Sequence, residues 1–166
     1  MKGTPPSFRF LIAHPAHLVA CGFGSGLAPV APGTFGTLFA WASFLPLSRA
    51  LPEAGLLALI GVGFILGVSA CQRTGKDLGV VDHGSIVWDE IVPFWLVLAM
   101  TPTDWRWQLA AFLLFRFFDI VKPPPASHFD QKVKNGFGVM MDDVVAALYT
   151  LLALAIGKRL IEGAGW

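Results

Sequence analysis

Charged residues are scarce in this chain of 166 residues. Lys, Arg, Asp and Glu together make up 14% of the sequence, against about 25% in soluble domains. Hydrophobic residues account for 55%, and the mean hydropathy is +0.64. A water-soluble protein of this size has too little interior to bury so much apolar surface. The composition therefore predicts a protein that is solvated by lipid.

Other features that mark common protein classes are also missing. The net charge of +1 gives no overall field to attract nucleic acid, so we expect no nucleic-acid partner. Cys21 and Cys71 form no CxxC pair, and we predict that both are small packing residues and not disulfide partners. The sequence contains no repeat or low-complexity tract. We expect a single domain over residues 1–166.

Five apolar segments predict five helices. They cover residues 35–51, 54–71, 91–101, 107–121 and 144–157. The second segment carries no charge and is about long enough to cross a bilayer. The others can cross if their polar ends reach the interface or a wet cavity. The predicted fold class is an all-α, multi-pass membrane helical bundle.

The basic residues predict how such a bundle is oriented. With five crossings, the three long polar segments, which are the one before residue 35, residues 72–88 and residues 122–141, fall on one side. The Lys and Arg residues of that side are Lys2, Arg9, Arg73, Lys76, Lys122, Lys132 and Lys134, and the other side has Arg49, Arg106, Lys158 and Arg159. The positive-inside rule then places the long segments, and any site that they form, at the cytoplasmic interface.

The tryptophans and most of the histidines are predicted to have structural roles. The six tryptophans, Trp166 among them, mostly fall near the ends of predicted helices and are interpreted as interfacial anchors. His14 and His17 have helical spacing without an acidic neighbour in sequence, so we expect a structural or surface role and no zinc site. His83 adjoins an acidic motif and is predicted to support that motif or transfer a proton.

A glycine-rich segment precedes the first predicted helix. It contains Gly24, Ser25 and Gly26, and Thr34 follows as the expected N-cap. Glycine lets the backbone approach a ligand closely, and the amino end of a helix offers unpaired N–H groups to phosphate. We therefore predict that these four residues bind phosphate. The alternative is an ordinary glycine-rich turn in front of a membrane helix.

Acidic residues gather at the ends of the apolar helices. The carboxylates are Asp89 and Glu90, Asp119, and Asp142 and Asp143. The two pairs open predicted helices, where the helix dipole favours a negative charge, so dipole complementarity alone is one explanation. Asp119 lies near a helix carboxyl end, where the dipole disfavours it. If the five cluster, they need a divalent cation, and oxygen ligands favour Mg²⁺.

Basic residues lie close to these acids in the sequence. Arg116, Asp119 and Lys122 are spaced i, i+3, i+6 and share roughly one helical face. We predict that Arg116 and Lys122 receive phosphate oxygens. An Arg116–Asp119 ion pair at the membrane interface is the alternative. Carboxylates that hold a metal beside cations that hold phosphate are typical of metal-assisted phosphoryl transfer.

These motifs together resemble the phosphatidylglycerophosphatase A family. The matching pieces are GFGSGLAPVAPGTFGT, DHGSIVWDE, FRFFDIVKPPP and FDQKVKNGFGVMMDD, which lie between residues 22 and 143 in the order of the family. The resemblance implies an all-α enzyme of the bacterial inner membrane. It implies Mg²⁺-dependent hydrolysis of phosphatidylglycerophosphate to phosphatidylglycerol and phosphate. The implied partners are the lipid substrate and the bilayer, with no obligatory protein partner.

The resemblance also implies a role for each of the five carboxylates. We predict that all five, Asp89, Glu90, Asp119, Asp142 and Asp143, are metal ligands, and that Glu90, Asp119 and Asp143 are catalytic. Asp119 would either ligate the metal or orient the attacking water beside Glu90. Pro93 departs from the family pattern, which often has glycine after the Asp-Glu pair; the departure leaves the helix geometry there open and does not affect the carboxylates.

A small ion or solute transporter is the alternative function, because transporters also carry carboxylates inside membrane helices. Here the acids gather on one face of the bundle and do not line a path through it, and no inverted repeat is visible. The sequence also lacks the KxxxxxxRP, DxD and DGxxAR patterns of other enzymes that act on lipid phosphates or related substrates. The enzyme is therefore the favoured interpretation.

Overall fold

The computed structural model describes residues 4–163, so the predictions for Lys2 and Trp166 lie outside the described residues. Within that range the chain is helical and contains no strand, which confirms the all-α class. The elements are α1 Phe8–Ala13, α2 Pro15–Ala20, a 3-10 helix Gly22–Leu27, α3 Pro32–Ala50, α4 Glu53–Leu78, α5 Trp88–Met100, α6 Trp105–Val121, α7 Ala126–Lys132 and α8 Gly136–Gly163.

Five of these helices, α3, α4, α5, α6 and α8, contain the five predicted apolar segments, except that residues 51 and 101 are the C-caps of α3 and α5. Two of them, α4 with 26 residues and α8 with 28, are long and apolar enough to cross a membrane. By contrast, α5 has 13 residues, and at about 1.5 Å per residue it falls short of a hydrocarbon core of about 30 Å. The additional crossings of the multi-pass prediction therefore stay a prediction.

Helix α5 lies at the centre of the bundle. Every residue from Trp88 to Trp95 is buried, and α5 packs against α3, α4 and α8. Such burial is expected because the helix is apolar on all sides beyond its first turn. Pro93 lies inside α5, which continues to Met100. An amide at position 93 would donate to the Asp89 carbonyl, and this hydrogen bond is lost at proline, yet α5 continues through the position.

Two tryptophans belong to this core and do not anchor the chain at an interface. The indole nitrogen of Trp88 donates to the Gly63 carbonyl at 2.9 Å, and that of Trp95 donates to the Ala40 carbonyl at 3.0 Å. Their N–H groups are thus satisfied inside the protein, as burial requires. The prediction of interfacial anchoring is wrong for these two residues. Trp105, at the start of α6, is exposed as that prediction expects.

The long helices alternate in direction, and this alternation positions the site. The amino ends of α3, α5 and α8 meet the carboxyl end of α6 around one cavity. The short helices close the same end of the bundle. His17 of α2 contacts Asp77, near the end of α4, with its Nε2 3.0 Å from Oδ2, and the amide of Val87 donates to the Ala20 carbonyl at 2.9 Å. The polar segments that are distant in sequence therefore lie together.

Candidate functional site

A cavity of about 470 Å³ opens at this end of the bundle. The segment before α3, the loop before α5, and the ends of α5, α6 and α8 all contribute to its wall. The predicted site residues that line it are Asp89, Glu90, Arg116, Asp119, Lys122 and Asp143. Asp142 is also buried and contacts Lys122 at the edge of the group. All five predicted carboxylates are therefore brought together.

The carboxylates form two groups of three that share Asp143. The first triad is Asp89, Asp142 and Asp143, and the second triad is Glu90, Asp119 and Asp143. Within each triad, one carboxylate oxygen per residue lies within 4.8 Å of the others. The neighbours Asp89 and Glu90 join different triads because successive side chains on a helix point about 100° apart.

Arg116 neutralises part of the second triad. Its NH1 lies 2.9 Å from Oε1 of Glu90 and 2.7 Å from Oδ2 of Asp119. The i, i+3 spacing on α6 brings Arg116 and Asp119 together, and the packing of α5 adds Glu90. The ion pair that the sequence offered as an alternative therefore exists, inside the cavity wall.

Lys122 neutralises part of the first triad. It is the C-cap of α6, with a positive φ of 47°, and its Nζ contacts Asp142 and lies 2.9 Å from Oδ1 of Asp130. Burial by itself would lower the pKa of Lys122, but the carboxylates of Asp142, Asp143 and Asp130 together outweigh burial and hold that pKa above its ordinary value. Lys122 is therefore a permanent cation at neutral pH.

Two carboxylate oxygens in the cluster lack a partner among the described residues. Oδ1 of Asp89 and Oδ1 of Asp143 are buried and accept no hydrogen bond within residues 4–163. The two side chains are 6% and 2% exposed, so water reaches them poorly. An unsatisfied buried carboxylate is costly, and a hard cation with oxygen ligands removes that cost. The residues thus fit a divalent cation such as Mg²⁺.

Gly33 and Thr37 are site residues that the sequence analysis missed. A Cβ atom on Gly33 would lie 1.9 Å from Oε1 of Glu90 and 3.0 Å from NH1 of Arg116. Glycine is thus required where α3 passes the second triad. The hydroxyl of Thr37, one turn later, lies 3.4 Å from NH1 of Arg116. The signal was present in the sequence as the glycines of the segment APGTFGT.

The predicted phosphate-binding turn lies beside the cavity. None of Gly24, Ser25, Gly26 and Thr34 is among the described residues that line it. The Ser25 hydroxyl donates to the Gly22 carbonyl at 2.8 Å within the same turn, and a Cβ on Gly26 would lie 2.2 Å from the Ser85 carbonyl oxygen. This turn packs against the loop before α5.

The prediction that Thr34 is an N-cap is wrong. Helix α3 begins at Pro32, and its N-cap is Ala31 in the left-handed conformation. Proline at the first helical position provides a suitable φ and lacks an N–H that would need capping, so the helix starts three residues earlier than expected. Thr34 therefore lies within the first turn.

The histidines take structural positions. His83 is buried, and its Nδ1 accepts a hydrogen bond from the Ser85 amide at 3.2 Å. The ring therefore stabilises the loop before α5. Burial lowers the pKa of His83, which keeps the ring neutral at neutral pH. His14 accepts from the Ala16 amide at 3.0 Å and caps α2. The structural role predicted for His14 and His17 is confirmed.

Sequence comparisons connect this geometry to known proteins. The profile of the family described as "Phosphatidylglycerophosphatase A" matches residues 18–158. A phosphatidylglycerophosphatase A from Haemophilus influenzae is 49% identical over 155 residues, which is 93% of this chain and 95% of that protein. The Escherichia coli phosphatidylglycerophosphatase A is 46% identical over 141 residues, or 84% of this chain and 81% of that protein.

A third relative carries a different name. A protein from Bacteroides thetaiotaomicron, provisionally named as a phosphatidylinositol-3-phosphatase, is 39% identical over 151 residues, covering 87% of this chain and 94% of its own. No solved structure matches the chain. The names of these relatives differ in the lipid headgroup, and all of them denote a phosphatase.

Proposed function

The chain belongs to the phosphatidylglycerophosphatase A family, and from this we propose that it hydrolyses phosphatidylglycerophosphate to phosphatidylglycerol and phosphate with Mg²⁺. Membership of the family makes it a phosphatase. The substrate, the metal and the place of the reaction in phospholipid synthesis are the proposed part.

One observation carries the proposal. Four of the five carboxylates line a single cavity together with Arg116 and Lys122, and the fifth, Asp142, lies beside Asp89 and Asp143. Ionised, they carry more negative charge than these two cations compensate. A phosphate dianion would be repelled by such a wall unless divalent cations were bound there. The same cavity therefore supplies oxygen ligands for a metal and positive groups for phosphate.

The two triads would hold the metal. When bound, Mg²⁺ would polarise a phosphate oxygen and favour the hydroxide form of a water molecule. Arg116 would then donate to the phosphate from NH1, which points into the cavity wall between Glu90 and Asp119. Glu90 and Asp119 would orient the attacking water and hold its proton. In the overall reaction the water oxygen bonds to phosphorus, the ester bond breaks, and the glycerol oxygen gains a proton.

A lipid substrate also needs an apolar approach to the polar cavity. Ile120 lines the cavity and is 72% exposed, and Phe117 and Val121 beside it are exposed as well. This apolar edge at the end of α6 suits the glycerol and acyl part of a lipid whose phosphate lies at the carboxylates. We propose that α4 and α8 cross the bacterial inner membrane and that the cavity faces the cytoplasm.

The function is tested with purified, detergent-solubilised protein. We expect phosphate release from phosphatidylglycerophosphate, complete loss of that release with EDTA, and recovery with Mg²⁺. Phosphatidylinositol 3-phosphate and phosphatidic acid belong in the same assay, because relatives of this chain bear names for different headgroups. Full activity after exhaustive chelation would exclude the metal mechanism. If the protein released phosphate from none of these lipids, the proposed substrate class would be excluded. A transporter would then again be a candidate function.

A further inference from the structure

We propose that the cavity has two cation positions that share Asp143 and differ in how readily they fill. The inference rests on the proposed function, since it concerns the cations that the phosphatase would use. The ions that would fill these positions are divalent cations that prefer oxygen ligands, such as Mg²⁺ and Mn²⁺. Asp143 belongs to both triads, so its carboxylate would contribute to both positions.

The first triad has buried carboxylate oxygens that are available to bind a cation. Oδ1 of Asp89 and Oδ1 of Asp143 are buried and accept no hydrogen bond from the described part of the chain. Two contacts hold the Asp142 side chain in place. Its Oδ2 contacts Nζ of Lys122, and its Oδ1 accepts a hydrogen bond from the amide of Asp143 at 3.0 Å. A cation arriving here displaces no protein donor from Asp89 or from that Asp143 oxygen. This position is expected to bind first and more tightly.

Lys122 contacts one carboxylate of the first triad, Asp142, whereas Arg116 contacts two carboxylates of the second triad. NH1 of Arg116 lies within 3 Å of both Glu90 and Asp119, and a guanidinium between two carboxylates occupies the place that a cation would take. A divalent ion must therefore displace this contact or bind against its charge. Repulsion of an ion by a unit charge about 4 Å away lowers affinity substantially even in a high dielectric. The second position is expected to bind weakly.

Substrate would change this balance. A phosphate dianion entering the cavity offers oxygens to the guanidinium, and Arg116 can release Glu90 and Asp119 in exchange. Nε of Arg116 is buried and has no hydrogen-bond partner in residues 4–163, so the guanidinium is not fully satisfied where it lies. Filling of the second position would thus be coupled to phosphate binding.

Cation binding can be measured apart from activity. Mn²⁺ is titrated into the purified, chelator-treated protein, and bound Mn²⁺ is followed by calorimetry and by electron paramagnetic resonance. We expect two Mn²⁺ per chain with unequal affinities and a spin-coupled signal at saturation. Millimolar inorganic phosphate should tighten the weaker position. Asp89→Asn should remove the tight position, Asp119→Asn the weak one, and Asp143→Asn should weaken both.

Two further variants complete the test. Asp104 caps α6 at the end opposite Asp119. The control variant Asp104→Asn must therefore leave binding at both cation positions unchanged. Arg116→Gln should tighten the weak position by about tenfold or more, since it removes the competing charge. Weaker or unaltered binding in Arg116→Gln would overturn the role given to Arg116.

The outcomes also separate this inference from the proposed function. One Mn²⁺ per chain at saturation, together with intact hydrolysis, would overturn the shared pair and leave the phosphatase standing. Two bound Mn²⁺ in a protein that hydrolyses no lipid phosphate would support the pair and contradict the function. Loss of all binding in both Asp89→Asn and Asp119→Asn would indicate one cation held by all five carboxylates, which also overturns the pair.

Discussion

The NH1 nitrogen of Arg116 lies 2.7 Å from the Oδ2 oxygen of Asp119, one turn later on α6. Both side chains are mostly buried, and both line the cavity. An exposed pair of this spacing would contribute only about 0–1 kcal/mol. Here the same nitrogen also contacts Glu90, so the pair belongs to the carboxylate cluster. The structural and catalytic interpretations of Asp119 are therefore compatible.

Asp119→Asn tests whether this carboxylate takes part in the reaction. The change keeps the side-chain volume and removes the charge, while Arg116 retains Glu90 as a partner. We expect turnover to fall about 100-fold or more, which corresponds to roughly 3 kcal/mol. Turnover and thermal unfolding are measured on the same purified protein. The matched control is Asp104→Asn at the other end of α6, which should keep its turnover and change stability little, because asparagine caps a helix about as well as aspartate. Normal turnover in folded Asp119→Asn would make Asp119 a purely structural partner of Arg116.

Asp142→Asn and Asp143→Asn should shift stability in opposite directions. Asp143 has an unpartnered buried oxygen and lies among other carboxylates, so its neutral amide relieves repulsion and offers a donor to them. We expect the melting temperature of the Asp143→Asn protein in EDTA to rise. Asp142 holds Lys122, and its replacement leaves a buried ammonium with less compensation, so the melting temperature should fall.

Both of these variants should be inactive, because each loses a predicted metal ligand. Calorimetry in EDTA and with added Mg²⁺ measures the stability effect, and the stabilisation by Mg²⁺ should shrink in both. A lower melting temperature for Asp143→Asn in EDTA would show that the carboxylate cluster is not a source of strain in the metal-free protein.

Gly33→Ala should inactivate the protein through a single methyl group. The added Cβ would lie 1.9 Å from Oε1 of Glu90, so either Glu90 or the start of α3 must move. We expect a large loss of turnover and a weaker response to Mg²⁺ in thermal unfolding. Gly61→Ala is the matched control, because a Cβ on Gly61 in α4 meets nothing within 4 Å. It should gain up to about 1 kcal/mol from helix propensity and stay fully active. An active Gly33→Ala would show that α3 is free to adjust.

Cysteine labelling tests the predicted orientation. The three long polar segments that are predicted to lie at the cytoplasmic side contain Ser25, His83 and His128, but His83 is buried and its label would report poorly. Cysteines at the exposed positions Val80 and His128 should resist a membrane-impermeant reagent in intact cells. A cysteine at Thr103, in the exposed turn between α5 and α6, should react. Labelling of Val80→Cys or His128→Cys in intact cells would contradict the cytoplasmic placement of the cavity.

The native thiols should not interfere with that labelling. Cys21 and Cys71 are free and buried, as the sequence analysis predicted. Burial raises the pKa of Cys21 to about 11, so little thiolate forms at the pH of labelling. Wild-type protein should therefore give no signal until it is denatured.

The local properties of the chain were predictable from sequence alone. Hydropathy and segment length located the five long helices, because both depend on consecutive residues. The same holds for the carboxylates at helix ends and for Asp119 near the end of α6. Alternating helix directions then required the polar ends to meet at one face. The helix period also predicted the Arg116–Asp119 contact, since i, i+3 neighbours share a face.

Tertiary packing decided what these segments do together. Asp89 and Glu90 are adjacent in sequence, yet they enter different triads, because which neighbour each faces depends on how α5 packs against α6 and α8. No pattern within one segment marks Asp143 as the shared residue or Gly33 as the close contact of Glu90. Burial of Trp88 and Trp95 likewise follows from the central place of α5. These are properties of pairs of helices, and only the assembled bundle determines them.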